Sequence, residues 1–178
     1  MSWFPSNLWD FLTKPSRKVK PRPKRQMTPK REPGPPVRSG TSMQKRYDDI
    51  VVEMKKTYGI RIRKWRSSMS GCAWEVHYAS GSVSRLLESP YPKGPMSCAI
   101  FLHEIGHHAI GFRTYRPRCL EEYHAWKWSL DMMRKKGINV TKNVEKRMAD
   151  SLKYAVQKAQ RRGLKHVPPQ LLPFLESK

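Results

Sequence analysis

His103, Glu104 and His107 stand in the spacing H-E-x-x-H inside the segment Phe101 to Ile110, which reads Phe-Leu-His-Glu-Ile-Gly-His-His-Ala-Ile. On an α-helix, residues four apart share one face about one turn apart, so both imidazoles can reach a single ion. Glu104 directly follows the first histidine, where its carboxylate can act as general base toward a water at the ion's open position. With 6 His and 9 Glu in 178 residues, chance supplies this pattern about 0.01 times. Two surface histidines one turn apart would be the bland reading. The apolar neighbours Ile100, Leu102, Ile105, Ala109 and Ile110 argue against it by burying the segment.

Two histidines hold zinc weakly, and catalytic sites add a third protein ligand while leaving one position for water. Downstream, the residue types that qualify are Glu122, Glu121 and His124, in that order of preference. His108 sits 100° around the helix from His107 and does not join the same ion easily. Glu122 lies one turn before Ala125, the smallest residue in the run Tyr-His-Ala-Trp-Lys-Trp, and a small residue lets two helix axes approach. Glu121 is expected to point elsewhere and stay in solvent near its helix N-terminus, where negative charge is favoured. A site for acyl transfer also needs a donor for the developing oxyanion, and Tyr115, His108, Tyr123 and His124 are the available types.

The elements that must position these groups follow from periodicity. Tyr47, Ile50, Val51, Met54 and Tyr58 recur at helical spacing, with Gly59 as a stop. Ile60 to Trp65 alternates apolar with basic residues, Ala73 to Ala79 forms a second strand and Val83 to Leu87 a third, with turns at Ser67–Gly71 and Ser80–Ser82. The H-E-x-x-H helix begins near Met96 or Ser97 and stops at Gly111. A second helix runs from about Cys119 to Lys136, and a third from Asn139 or Thr141 to about Arg162. The expected class is α+β: a helix, a small three-stranded antiparallel sheet, then three helices. The division is a short apolar segment at 1–13, a basic Pro-rich arm at 14–42, a domain at 43–163 and a tail at 164–178.

The net charge of +22 is unevenly placed. Lys14 to Arg38 holds 10 Lys or Arg, one acid and 7 Pro, too little apolar surface to offset chain entropy, so a solvated arm is expected. Such an arm is expected to meet a polyanion (nucleic acid, an anionic membrane or an acidic protein) in a salt-sensitive manner, the alternative being an arm that only aids solubility. The basic helix at 141–165 extends that charge. Trp3, Phe4, Leu8, Trp9, Phe11 and Leu12 could form a short docking helix or fold back onto the domain. The start lacks a basic n-region and a small-residue cleavage site, and no run is long enough for a transmembrane helix. Cys72, Cys98 and Cys119 form no C-x-x-C pair, which suits a reducing, intracellular setting. Trp65, flanked by Arg61, Arg63, Lys64 and Arg66, is read as core, with a stacking surface for single-stranded nucleic acid as the sharper alternative.

His103-Glu104-Ile105-Gly106-His107, followed by Glu122-Tyr123-His124-Ala125-Trp126-Lys127-Trp128, resembles the ImmA/IrrE-type metallopeptidases, which are minimal gluzincins, and is similar to small predicted metallopeptidases of bacteriophages. The resemblance spans about Lys45 to Lys136. It implies a zincin-like fold, Zn2+ held by His103, His107 and Glu122, and Glu104 polarising the water. It also implies a peptide substrate paired to the sheet's edge strand, and a target such as a repressor or, in a phage, a virion protein. One position departs from the pattern: where many gluzincins carry an acidic or amide residue that buttresses a histidine, this chain has Trp126, so a backbone carbonyl or Asp131 would have to substitute.

The expected function is therefore zinc-dependent peptide hydrolysis, localised by the basic regions. The rival is a nucleic-acid-associated or virion structural protein that keeps the fold without turnover. Zinc deaminases and metal nucleases are excluded by the missing cysteine ligands and acidic pairs.

Overall fold

A computed structural model describes residues 42–176, so the readings made for segment 1–13 and for the arm up to residue 41 lie outside the described residues. The chain folds as α1 (Ser42–Tyr58), β1 (Ile60–Arg66), β2 (Cys72–His77), β3 (Val83–Pro90), α2 (Pro95–Ile110), α3 (Arg118–Lys135), α4 (Lys142–Arg161), a 3-10 turn (Pro169–Leu171) and a short α5 (Pro173–Glu176). This is the expected α+β class. The stripe Tyr47, Ile50, Val51 and Met54 buries one face of α1, and Gly59 ends the helix at φ 62°, which costs glycine least.

The sheet is mixed, which corrects the antiparallel expectation. Its order is β1-β3-β2, with β2 antiparallel and β1 parallel to β3. The hairpin turn exists as read: Tyr78 N–H donates to Ser82 O at 2.9 Å, joining β2 to β3. What the alternation pattern does not encode is which strand takes the centre. β3 ends in Leu87, Ser89 and Pro90, all buried, and a strand buried on both faces belongs in the middle. β1 therefore pairs on the far side of β3, and the Ser67–Gly71 loop reverses direction while crossing two strand spacings, roughly 10 Å. A register shift between Ile62 and Lys64 breaks the alternation of β1, turning Trp65 inward after the buried Ile60 and Ile62. The Trp65 ring packs on Tyr91 and Phe101, as the core reading expects.

α2 lies between this sheet and α3 and is buried continuously from Ser97 to His108. A helix enclosed on all sides must be apolar all round except where chemistry requires otherwise. Here the exceptions are Ser97, His103, Glu104, His107 and His108. Ser97 closes the N-terminus, its hydroxyl accepting from Lys93 N–H and Gly94 N–H, while Pro95 occupies the first turn, where no donor is missed. α4 follows the N-cap Thr141 and packs through Val144, Leu152 and Val156. The segment read as a tail is anchored, since Leu171 is fully buried in the same core. Cys72, Cys98 and Cys119 are free thiols. Among the described residues no helix is long and apolar enough to cross a membrane.

Candidate metal centre

His103 and His107 face α3 from consecutive turns of α2, their rings 4.9 Å apart and nearly perpendicular. Both converge on one oxygen of α3. His103 Nε2 lies 3.3 Å and His107 Nε2 3.5 Å from Glu122 Oε2. The three ligand atoms fall within 4.8 Å of one another, an arrangement that could hold a metal ion.

The approach of the two helices has a specific cause. A Cβ on Gly106 would stand 2.8 Å from Ala125 O and 3.2 Å from Ala125 Cα, so neither helix carries a side chain thicker than a methyl at the crossing. Ser129 Oγ donates to Ala99 O at 2.8 Å and locks the register of α3 against α2 one turn further on. The small Ala125 thus brings Glu122 within reach, as the sequence suggests.

Around these three side chains stand groups that hold them in place. Arg118 Nε donates to Glu122 Oε1 at 3.1 Å, which leaves Oε2 for the imidazoles. Trp126 stacks on His103 at 4.4 Å and 24°, fixing that ring by its face rather than by a buttressing carboxylate. The carboxylate that does face a histidine is Glu121. Its Oε1 lies 3.3 Å from His107 Nδ1, the nitrogen turned away from Glu122, and its Oε2 accepts from Arg113 N–H at 2.9 Å. This corrects the reading of Glu121 as solvated, because it is 1 % exposed. Asp131 does not substitute as a buttress either, being exposed and paired with Arg134.

The loop Gly111–Pro117 explains the difference. Gly111 leaves α2 at φ 80° and Arg113 adopts φ 64°, a left-handed conformation uncommon for a residue with a side chain. The loop thereby folds over the Glu121 face of α3 and points a backbone donor at it. Helical spacing alone carries no signal of that cover. A glutamate adjacent to the ligand glutamate, on a helix that follows an enclosing loop, is the only hint in the sequence.

Glu104 completes the site from the sheet side of α2. A Cβ on Gly71 would fall under 3.0 Å from Glu104 Cγ, Cδ and Oε1, so the carboxylate rests on bare backbone at the start of β2. Burial pushes the Glu104 pKa up to about 7, against the lowering influence of His107. Burial also opposes charge on His107, yet Glu121 and Glu122 prevail and raise it to about 9. Burial lowers His103. Glu122, although half-buried, is held well below the usual carboxylate range by the two histidines.

These groups open into a cleft of about 980 Å³ bounded by Gly71–Ala73 on one side and by α4 on the other. Comparison with protein-family models, curated proteins and solved structures finds no match to this chain. The site must be judged on its own geometry.

Judged so, several residues fall away. His124 stacks on Tyr115 at 3.7 Å and is no part of the cluster. His108 donates to Leu86 O on β3 at 3.1 Å. Tyr123 packs toward Phe174. None of the four residues considered as oxyanion donors lines the cleft, whereas Arg118 and Tyr154 do.

Proposed function

We propose that this protein is a zinc-dependent metallopeptidase with a zincin-like fold, resembling the ImmA/IrrE type, in which His103, His107 and Glu122 hold the ion and Glu104 is the general base. The observation that carries the reading is the spacing of the ligand atoms. Four ligands at the 2.0–2.1 Å typical of zinc with histidine or carboxylate lie about 3.3 Å apart along the edges of a tetrahedron. Glu122 Oε2 stands 3.3 and 3.5 Å from the two histidine nitrogens. Two imidazoles and one carboxylate are a donor set used by hydrolytic zinc, with one position left over.

Bound there, the ion would act as a Lewis acid on a peptide carbonyl and make water a better nucleophile near neutral pH. The chain supplies the rest. Glu104, with a pKa of about 7, can take a proton from the attacking water and return it to the leaving amine. Gly71 gives its carboxylate room, and Arg118, paired with Glu122, also lines the cleft. The edge of β2 offers backbone groups to an extended substrate. The basic arm at 14–38 and the outward basic residues of α4 would localise the enzyme on nucleic acid or a nucleoprotein target.

The test is metal content together with hydrolysis of fluorescent casein. Glu104→Gln should keep zinc and fold while losing at least about 100-fold in rate, and Glu122→Ala should lose the zinc. Zinc-free purified protein, or casein cleavage unaffected by Glu104→Gln, would return the protein to the structural rival.

A further inference from the structure

The cleft has two unlike walls. One is the start of β2, an edge strand with no neighbour on its outer side among the described residues. The other is α4 with its C-cap Arg162, which turn Arg147, Ser151, Tyr154, Ala155, Lys158 and Arg162 to the cleft, an arc of about 100° at 3.6 residues per turn. Ser151 and Ala155 are small and half-buried, so they form a floor, while Tyr154, Lys158 and Arg162 stand exposed above it. Arg147 Nη2 donates to Met69 O at 3.0 Å, tying α4 to the loop ahead of β2.

The charges in this groove are lopsided. Lys158 lies 5.9 Å from the Tyr154 ring, and neither it nor Arg162 has an acidic partner among the described residues. Elsewhere on the same helix Lys146 pairs with Asp150. Among the described residues the acids that line the cleft are Glu104 and Glu122, both already engaged at its floor. Cations left unpaired along a groove are complementary to an anionic ligand.

We infer that the cleft selects an extended peptide segment carrying acidic side chains at alternate positions on its α4 side. Lys158 and Arg162 are one helical turn apart, about 6 Å along the axis, close to the roughly 6.7 Å between same-side residues of an extended chain. A peptide also suits the opposite wall, because a free strand edge pairs with backbone amides. A nucleic acid carries its charge in the backbone itself and would drag phosphates across Glu104 and Glu122. An acidic peptide keeps its charges on side chains directed at α4. This inference deepens the metallopeptidase reading, which sets what happens to the segment once bound.

Full-length Glu104→Gln protein, as purified, is titrated into a fluorescein-labelled decapeptide with Glu at alternate positions and into its Gln counterpart, with binding read by anisotropy. The Glu peptide should bind about 10-fold tighter, the scale of two close charge pairs. Adding Lys158→Glu and Arg162→Glu should cut the preference below about 2-fold. Adding Lys142→Glu and Lys165→Glu instead makes the same change of charge off the cleft and should leave the preference in place. A preference that survives the cleft pair, or falls equally with both pairs, overturns the inference. So does a ten-nucleotide oligothymidylate that displaces the Glu peptide and loses its own affinity through the cleft pair, since the groove would then belong to nucleic acid. Zinc content and casein cleavage of the unmodified chain are read separately. Zinc-loaded, active protein without charge preference overturns this inference alone, and a charge preference in protein that takes up no zinc overturns the metallopeptidase reading alone.

Discussion

Glu104, Glu121 and Glu122 surround His103 and His107, and among the described residues Arg118 is the one guanidinium in contact, so with neutral imidazoles these groups sum to two negative charges. A divalent cation cancels that sum. Without one, protons take its place: His107 is raised to about 9 and Glu104 to about 7. Glu121 matters in this balance because it touches the side of His107 that faces away from the ligand position. The 3.3 Å contact between Glu121 Oε1 and His107 Nδ1 is not a directed hydrogen bond, and the negative charge there acts electrostatically, raising the basicity of the nitrogen that would ligate. Glu121→Gln keeps the shape and an oxygen for Arg113 N–H but removes the charge. Zinc affinity, measured by competition with a chromophoric chelator, should fall about 10- to 100-fold with the fold intact. Unchanged affinity would reduce Glu121 to a helix–loop staple. The four residues of the proposed site were legible in the sequence because three, His103, Glu104 and His107, are set by local helical spacing and Glu122 is betrayed by the small residue three positions on. Glu121 was not legible, because its burial is made by the Gly111–Pro117 loop, a long-range contact that no period records.

Among the elements, the crossing of α2 and α3 decides whether a ligand set exists at all. Gly106 and Ala125 meet backbone to backbone, and Glu122 stands three residues from that contact. Gly106→Ala would be helix-favouring in isolation by about 1 kcal/mol. Here the added methyl meets a carbonyl that cannot yield without moving α3. The overpacking should outweigh the propensity gain and leave a net loss of about 1–2 kcal/mol in urea unfolding, with weaker zinc binding as α3 moves off. A variant as stable and as zinc-avid as the parent would show that the crossing has slack. The helices were readable to within a residue or two because their stripes and stops are local. Gly111, Gly137 and Gly163 all take positive φ just past helix ends. The strands were readable too, but their pairing was not. Alternation along β1 and β2 fits an antiparallel pair as well as it fits two edges, and only the burial of Leu87, Ser89 and Pro90 selects β3 as the centre.

For the molecule as a whole, the site joins α2 and α3 across the middle of the core, so a ligand that binds it should hold the domain together. α2 contacts the sheet on one side and α3 and α4 on the other, and separating them dismantles the site. A metal bound by the folded chain and not by the unfolded one adds about 4 kcal/mol at a free concentration a thousand times its Kd. For a domain of this size that corresponds to a rise in Tm of about 10 °C, reversed by a chelator. The pH dependence has a definite sign. His107 carries a proton below about pH 9 in the metal-free chain, and an imidazole must be neutral to ligate. Binding therefore releases a proton, and at a fixed zinc concentration the gain in Tm should shrink as pH falls from 8 to 6. The proton that His107 holds in the metal-free chain, beside Glu121 and Glu122, is the same one that zinc must displace, so this single linkage sets the whole trend. Differential scanning fluorimetry with and without zinc across that range measures it. A Tm indifferent to zinc at pH 8 would mean that the three side chains converge for packing alone, and a gain that grows toward pH 6 would mean that the ion binds somewhere other than these histidines.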